Sequence, residues 1–166
     1  MSEKHVVTPF HGQEHIHAEC LEAAISAAEK TCALRGVRLT SLRKRVLELV
    51  WSSHEPVKAY DILDRMRDEK FSSAPPTVYR ALEFLQEEGM VHKIESLNAY
   101  MGCARPDYQH ISQFLICEKC GAVAELDDPE IREILASKAA AMGFDIKHEM
   151  IEIQGMCYAC RHTHDR

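Results

Sequence analysis

No stretch of this 166-residue chain approaches the ~18 consecutive apolar residues that a membrane-spanning helix requires. Residues 1–10 lack the apolar centre of a secretory leader. Low-complexity runs and internal repeats are missing as well. These absences set aside a membrane protein, an exported one and a repeat array. The expectation is a reduced, cytoplasmic protein with no membrane partner. Its seven cysteines, an odd number, suit a closed disulfide framework poorly. Net positive charge is also lacking: the sum is −6, which by itself disfavours a nucleic-acid partner. That sum hides an uneven distribution. Between residues 35 and 45 there are five bases (Arg35, Arg38, Arg43, Lys44, Arg45) and no acid, whereas acids outnumber bases beyond residue 96. A local basic run can bind phosphates whatever the total, although such runs are more often plain solvated faces.

What the chain does have is thiol. Cys117 and Cys120 form one Cys-x-x-Cys pair, and Cys157 and Cys160 form another. Two such pairs have the spacing of a tetrahedral zinc site, each clamping one edge of the ion. Four thiolates leave no open position for water or substrate, so the metal would hold the fold rather than perform chemistry. A thioredoxin-like redox pair would explain one knuckle but not two. The intervening residues, 121–156, must carry structure of their own.

The apolar pattern suggests two parts. Leu21, Ala24, Ile25, Ala28 and Cys32 recur at helical spacing, with Gly36 as a stop. Thr40 reads as the N-cap of a second helix burying Leu42, Val46, Leu49 and Val50. Ile62, Leu63 and Met66 mark a third helix ending near Phe71. Pro75 and Pro76 open a fourth, whose stripe is Val78, Ala81, Leu82 and Leu85. Residues 90–95 and 99–103 then read as a hairpin. Short helices followed by a hairpin are the order of a winged helix-turn-helix. A hinge is expected over 104–110, and a small α+β domain over 111–160. The latter contains strands at 113–116 and 122–126, a helix capped by Asp128 and Pro129, and a strand over 144–153. With about 50 residues its core is thin, which a zinc staple would offset. The predicted organisation is a mobile His-bearing extension over 1–18, a winged-helix DNA-binding domain over 19–103, the hinge, the zinc-stapled dimerisation domain, and a tail over 161–166. The fold class is α+β.

Two further constellations carry chemistry. On the fourth helix Arg80 lies opposite the apolar stripe, with Thr77 and Tyr79 flanking it. An exposed arginine there can fork to guanine, and a tyrosine can meet a thymine methyl or a phosphate. The alternative is a surface arginine paired with Glu83 or Glu87. The second constellation is His92, Cys103, His110 and Glu125: two imidazoles, a thiolate and a carboxylate, a donor set that suits zinc over magnesium or manganese. Each also has a dull explanation, such as a packed strand histidine or a lone buried cysteine.

The segments 38–40 (Arg-Leu-Thr), 59–64 (Ala-Tyr-Asp-Ile-Leu-Asp), 75–85 (Pro-Pro-Thr-Val-Tyr-Arg-Ala-Leu-Glu-Phe-Leu) and 89–95 (Gly-Met-Val-His-Lys-Ile-Glu), with both knuckles, resemble the ferric uptake regulator superfamily. Within it the chain looks like the zinc uptake regulator branch. The likeness covers roughly residues 20–160. It implies a sensing site on His92, Cys103, His110 and Glu125 beside structural zinc on Cys117, Cys120, Cys157 and Cys160, thus two zinc ions per chain. It also implies DNA-reading residues at Tyr60 and Arg80, with Tyr79, Thr77, Arg38 and Arg43 as further candidates. The partners implied are a palindromic, AT-rich operator and a second copy of the chain, with no small-molecule substrate. The function implied is zinc-dependent repression of zinc-uptake genes. Iron-type members carry a His-His-Asp-His cluster after the hinge; this chain has only His110 in the matching stretch, which argues against an iron site.

Other readings stay open at this point. The chain could be an iron, manganese or peroxide sensor of the same superfamily, or a zinc-stapled interaction module that never touches DNA. His17, Glu19, Cys117 and Cys120 mimic a zinc deaminase signature. That enzyme reading fails because no proline precedes Cys117, the separation is too long, and the second knuckle has no role in it.

Overall fold

The computed structural model describes residues 5–10, 17–53, 55–69, 74–106, 111–147 and 149–162; for His17 this covers the backbone alone. The chain divides into two compact units, residues 12–109 and residues 110–166 together with 1–11.

In the first unit, α1 (His17–Arg35), α2 (Ser41–Val50), α3 (Ala59–Asp68) and α4 (Pro75–Glu87) pack around one core. The buried residues repeat at helical spacing: Val46, Leu47, Leu49 and Val50 on α2; Ile62, Leu63 and Met66 on α3; Val78, Ala81, Leu82 and Leu85 on α4. Local chemistry sets the starts. The Thr40 side chain accepts the Arg43 N–H at 3.3 Å, and Pro75 takes the first helical position of α4, where its missing N–H leaves nothing unpaired. The third helix ends at Asp68, three residues short of the expected Phe71, which lies outside the described residues.

The hairpin expected after the helices is β3 (Val91–Ile94) and β4 (Ala99–Gly102), antiparallel with His92 opposite Met101. Asn98 turns the chain with a left-handed φ of 46°, a conformation its short polar side chain tolerates. A third strand, β2 (Val57–Lys58), pairs with the other side of β4 and was not anticipated. At two residues it is too short to leave a periodic signature. Gly102 permits a close approach here. A Cβ at that position would fall 2.8 Å from Trp51 Cδ2 and closer still to Cε2 and Nε1.

The second unit is a four-stranded sheet in the order β1 (Val6–Thr8), β6 (Val123–Leu126), β5 (Gln113–Cys117), β7 (Ile151–Gly155). Pairing is antiparallel except between β5 and β7. The crossover from β6 to β7 is α5 (Pro129–Ala141), whose N-cap Asp128 accepts the Glu130 N–H at 2.9 Å.

Three sequence expectations at the ends of the chain and after α5 are corrected. Residues 1–18 are not a mobile extension throughout: Val6–Thr8 is a strand, and α1 begins at His17. The strand expected from Phe144 starts only at Ile151. Its first residues are used otherwise, because the Phe144 N–H returns to the Ala139 carbonyl and the Gly143 N–H to that of Ala140, closing α5. The presumed tail from 161 begins inside α6 (Tyr158–His162), where the His162 ring lies 4.2 Å from that of Tyr158. No described helix is long and apolar enough to cross a membrane.

Candidate metal centre and nucleic-acid interface

Two turns bring the knuckles together. Cys117 ends β5, and the Gly121 N–H closes back on the Cys117 carbonyl at 2.8 Å with Gly121 at φ 73°, a value that favours glycine. The second knuckle wraps the start of α6, with the Arg161 N–H on the Cys157 carbonyl. The result is one cluster: the sulfurs of Cys117, Cys120, Cys157 and Cys160 all lie within 4.8 Å of one another. Cys120 Sγ and Cys157 Sγ are 3.9 Å apart. Sulfurs at the ~2.3 Å zinc–thiolate distance stand about 3.8 Å from each other on a tetrahedron, so the donor set fits zinc in geometry and in softness.

Electrostatics within the cluster is uneven. The Cys157 and Cys120 amide N–H groups hold the Cys117 thiol down at about 6. Burial, then the neighbouring cysteine side chains, push Cys160 up to about 12. Of the four, Cys117, Cys157 and Cys160 are buried and Cys120 is exposed. Phe10 and Ala122 pack against the buried three. The cluster also gives the second knuckle the role that the deaminase reading could not.

The other predicted ligands fall on both units. His92 is half-buried on β3. Cys103 follows β4, 2% exposed; its N–H donates to the Met90 carbonyl at 2.9 Å, and its sulfur accepts the Arg105 N–H at 3.4 Å. Glu125, in the second unit, is 0% exposed, an extreme position for a carboxylate. Its Oε1 accepts the Ser112 hydroxyl at 2.5 Å. His110 lies outside the described residues, as do His11, His15 and His164.

The sequence reading missed three residues around these groups. Ser112, just ahead of β5, is buried and its hydroxyl orients Glu125; next to another polar residue, Gln113, it gave no sequence signal. Gln113, 1% exposed, donates to the Asp128 carbonyl and accepts the Asp128 N–H, fixing the turn from β6 into α5. Phe10, in the presumed extension, gave no sequence signal at all.

On the first unit, the exposed face of α4 carries Thr77, Tyr79 and Arg80, opposite the fully buried Val78, Leu82 and Leu85. Among the described residues Arg80 pairs with neither Glu83 nor Glu87. Tyr60, at the start of α3, is 72% exposed. The basic run of residues 35–45 is largely neutralised in place. Arg35 pairs with Glu88 at 2.8 Å, Lys44 with Glu29 at 2.7 Å, and Arg45 bridges Glu48 and Glu69. Arg43 stacks its guanidinium 3.5 Å over the Phe84 ring and donates to the Arg38 carbonyl at 2.6 Å, tying α2 to α4. Arg38 is exposed, and among the described residues its side chain has no ion pair.

Comparison with known proteins agrees with this arrangement. The Ferric uptake regulator family profile matches residues 34–154. The zinc uptake regulation protein of Escherichia coli (strain K12) is 46% identical over 137 residues, 82% of this chain and 80% of that protein. A solved zinc uptake regulator complexed with zinc and DNA is 44% identical, with a TM-score of 0.80, covering 85% of this chain and 95% of its own. Holo XcZur is 43% identical, with a TM-score of 0.77, covering 84% and 97%. The peroxide-responsive repressor PerR of Staphylococcus aureus (strain USA300) is more distant, 25% identical over 147 residues, 88% of this chain and 97% of that protein. The N-terminal unit is accordingly a winged helix-turn-helix and the C-terminal unit the small α+β domain of these regulators, and the chain belongs to the Ferric uptake regulator family.

Proposed function

We propose that this protein is a zinc-responsive transcriptional repressor that binds a palindromic operator as a zinc-loaded homodimer and controls zinc-uptake genes. The observation that carries the proposal is the likeness, at 44% identity over 85% of the chain, to a regulator solved with zinc and DNA. The donor chemistry and the α4 surface are consistent with it. Two zinc ions are assigned per chain. Cys117, Cys120, Cys157 and Cys160, whose sulfurs lie within 4.8 Å of one another, hold one as the fixed structural ion, because four thiolates leave no open coordination position for water or substrate. His92, Cys103, His110 and Glu125 hold the second, which comes and goes with free zinc.

Buried thiol and buried carboxylate are expensive to keep charged without a cation, so the second site has a physical reason to favour a bound metal ion. Switching a regulator from 1:99 to 99:1 takes about 5.5 kcal/mol of differential binding. Metal coordination supplies that, whereas exposed ion pairs contribute about 0–1 kcal/mol each. Arg80 on the exposed face of α4 and Tyr60 at the start of α3 are then the DNA-reading residues, with Thr77, Tyr79 and Arg38 as further contacts. Arg43 supports the interface from within by stacking on Phe84.

The second copy has a surface to meet. No residue of α5 is buried, although Ile134 and Leu135 lie on it; Met142 and Phe144, just after it, are 84% and 67% exposed, and Ile153 on β7 is 50% exposed. Among the described residues the outer edge of β7 pairs with no strand. Exposed apolar side chains and an open strand edge are the usual material of a homodimer interface. The function is tested by selecting duplexes from a random-sequence DNA pool with zinc-loaded protein, then with chelated protein. Enrichment of one palindrome only with zinc, and a steep salt dependence of its binding, is expected. Salt-insensitive or zinc-independent binding would overturn the proposal.

A further inference from the structure

The proposed function leaves the segment ahead of α1 without a role, yet part of that segment is built into the second unit. β1 runs antiparallel along the outer edge of β6, with Val6 opposite Leu126 and Thr8 opposite Glu125 across a bulge. His5 extends the ladder. Its carbonyl accepts the Asp127 N–H at 2.9 Å, and its Nδ1 lies 3.2 Å from the Asp127 carbonyl oxygen. Two residues beyond the strand, Phe10 is half-buried against Cys117, Cys157 and Cys160. Residues 5–10 therefore bridge the Glu125 edge of the sheet and the thiol cluster.

The register shows what the segment covers. Cross-strand partners share a face, so Thr8, Glu125, Phe114 and Glu152 form one row across all four strands. Glu125 is fully buried, with Phe114, 2% exposed, on one side and Thr8 on the other. Without β1, β6 would be an edge strand with open N–H and C=O groups, and Glu125 would lose its neighbour on that side.

We infer that residues 5–10 are a strap, supplied in cis, whose docking on β6 shields Glu125 from water and is coupled to the metal that Glu125 binds. This rests on reading Glu125 as a ligand of the removable zinc. The physical link is dielectric: attraction between a carboxylate and a cation strengthens as water is excluded. Linkage makes the effect mutual, so that zinc tightens the docked strap and the docked strap tightens zinc. Thr8 and Phe10 are positioning residues in this scheme, and neither touches the ion.

The test uses the full-length protein and a double variant, Val6→Pro with Val7→Pro. Successive strand N–H groups point to opposite edges, so one of two adjacent prolines must remove a ladder donor. Neither substitution touches a proposed ligand. Amide hydrogen exchange and zinc competition against a chelator are measured on both proteins. The expected result is lost protection at Glu125, Leu126 and Asp127, with the removable zinc held about fivefold or more weakly, the lower end of coupling between sites. One retained tight zinc per chain reports that the unit is still folded. Unchanged exchange at 125–127 would show that the strap does not dock and would overturn the inference. Changed exchange with unchanged zinc competition would overturn the coupling while leaving Glu125 a ligand. A wild-type protein with no removable zinc would overturn the site assignment itself, and the coupling with it.

Discussion

Replacing Gly102 with alanine adds one methyl group where β4 lies directly against the Trp51 indole. The new Cβ would stand 2.8 Å from Trp51 Cδ2, inside any normal carbon–carbon contact, and nearer still to two other indole atoms. The indole cannot swing aside into solvent without uncovering core, since Trp51 is 9% exposed and belongs to the main cluster. Either β4 or the tryptophan must move. Overpacking of this kind costs about 1–3 kcal/mol. For a unit of about 100 residues each kcal/mol lowers Tm by about 4–8 °C, so the transition of the first unit should fall by roughly 5–20 °C. Because Cys103 is the next residue, the same shift should loosen the removable zinc. The assay is a thermal scan of the zinc-loaded protein with a zinc competition alongside. Trp51→Leu provides the control: in that background Gly102→Ala should cost much less, a coupling of about 0.5–3 kcal/mol. An unchanged Tm for Gly102→Ala, or full additivity with Trp51→Leu, would refute the packing argument.

Four other outcomes are expected. Cys120→Ala should abolish the permanent zinc and unfold the second unit, seen as lost amide protection over β5 and β6, while α1–α4 remain protected. Arg80→Ala should lower discrimination at one base position by about 1–3 kcal/mol and leave zinc content unchanged; an equal loss on random DNA would make Arg80 a phosphate contact. Ile134→Glu should convert dimer to monomer in sedimentation at micromolar protein, because it places a charge on the unburied apolar face of α5. Zinc uptake by the four-thiol cluster should weaken as pH falls. Cys160, pushed up to about 12, must give up its proton to bind, and below the Cys117 value of about 6 that thiolate is protonated as well. Competition titrations across this range should therefore show falling affinity, and a flat profile would contradict the assignment.

Much of the fold was legible because its signals are local. The stripe of α4 and the Thr40 cap are read off spacing and residue type, and the structure buries Val78, Leu82 and Leu85 as spacing requires. The thiol cluster was legible for the same reason: each Cys-x-x-Cys pair is a local turn, and only their meeting is long-range. What escaped is non-local. β1 pairs with a strand about 120 residues away, and three residues are too few to carry a periodic signal of that partner. The neutralised basic run shows a similar limit. Five bases without an acid look like a free patch in one dimension, but Glu29, Glu48, Glu69 and Glu88 arrive from elsewhere in the fold. Ser112 escaped because its meaning depends on a hydrogen bond to Glu125 of β6, 13 residues on, which sequence spacing does not reveal.

The central claim is a fixed structural zinc beside a removable regulatory one. Metal content per chain, measured by mass spectrometry after gentle chelation and zinc re-addition, tests it for wild type and Cys103→Ser. The account predicts two zinc ions in the reloaded wild type, one after chelation, and one in Cys103→Ser under both conditions, with that variant still folded and dimeric. A single tightly held zinc in the reloaded wild type would contradict it, because no second site would then exist to sense the metal.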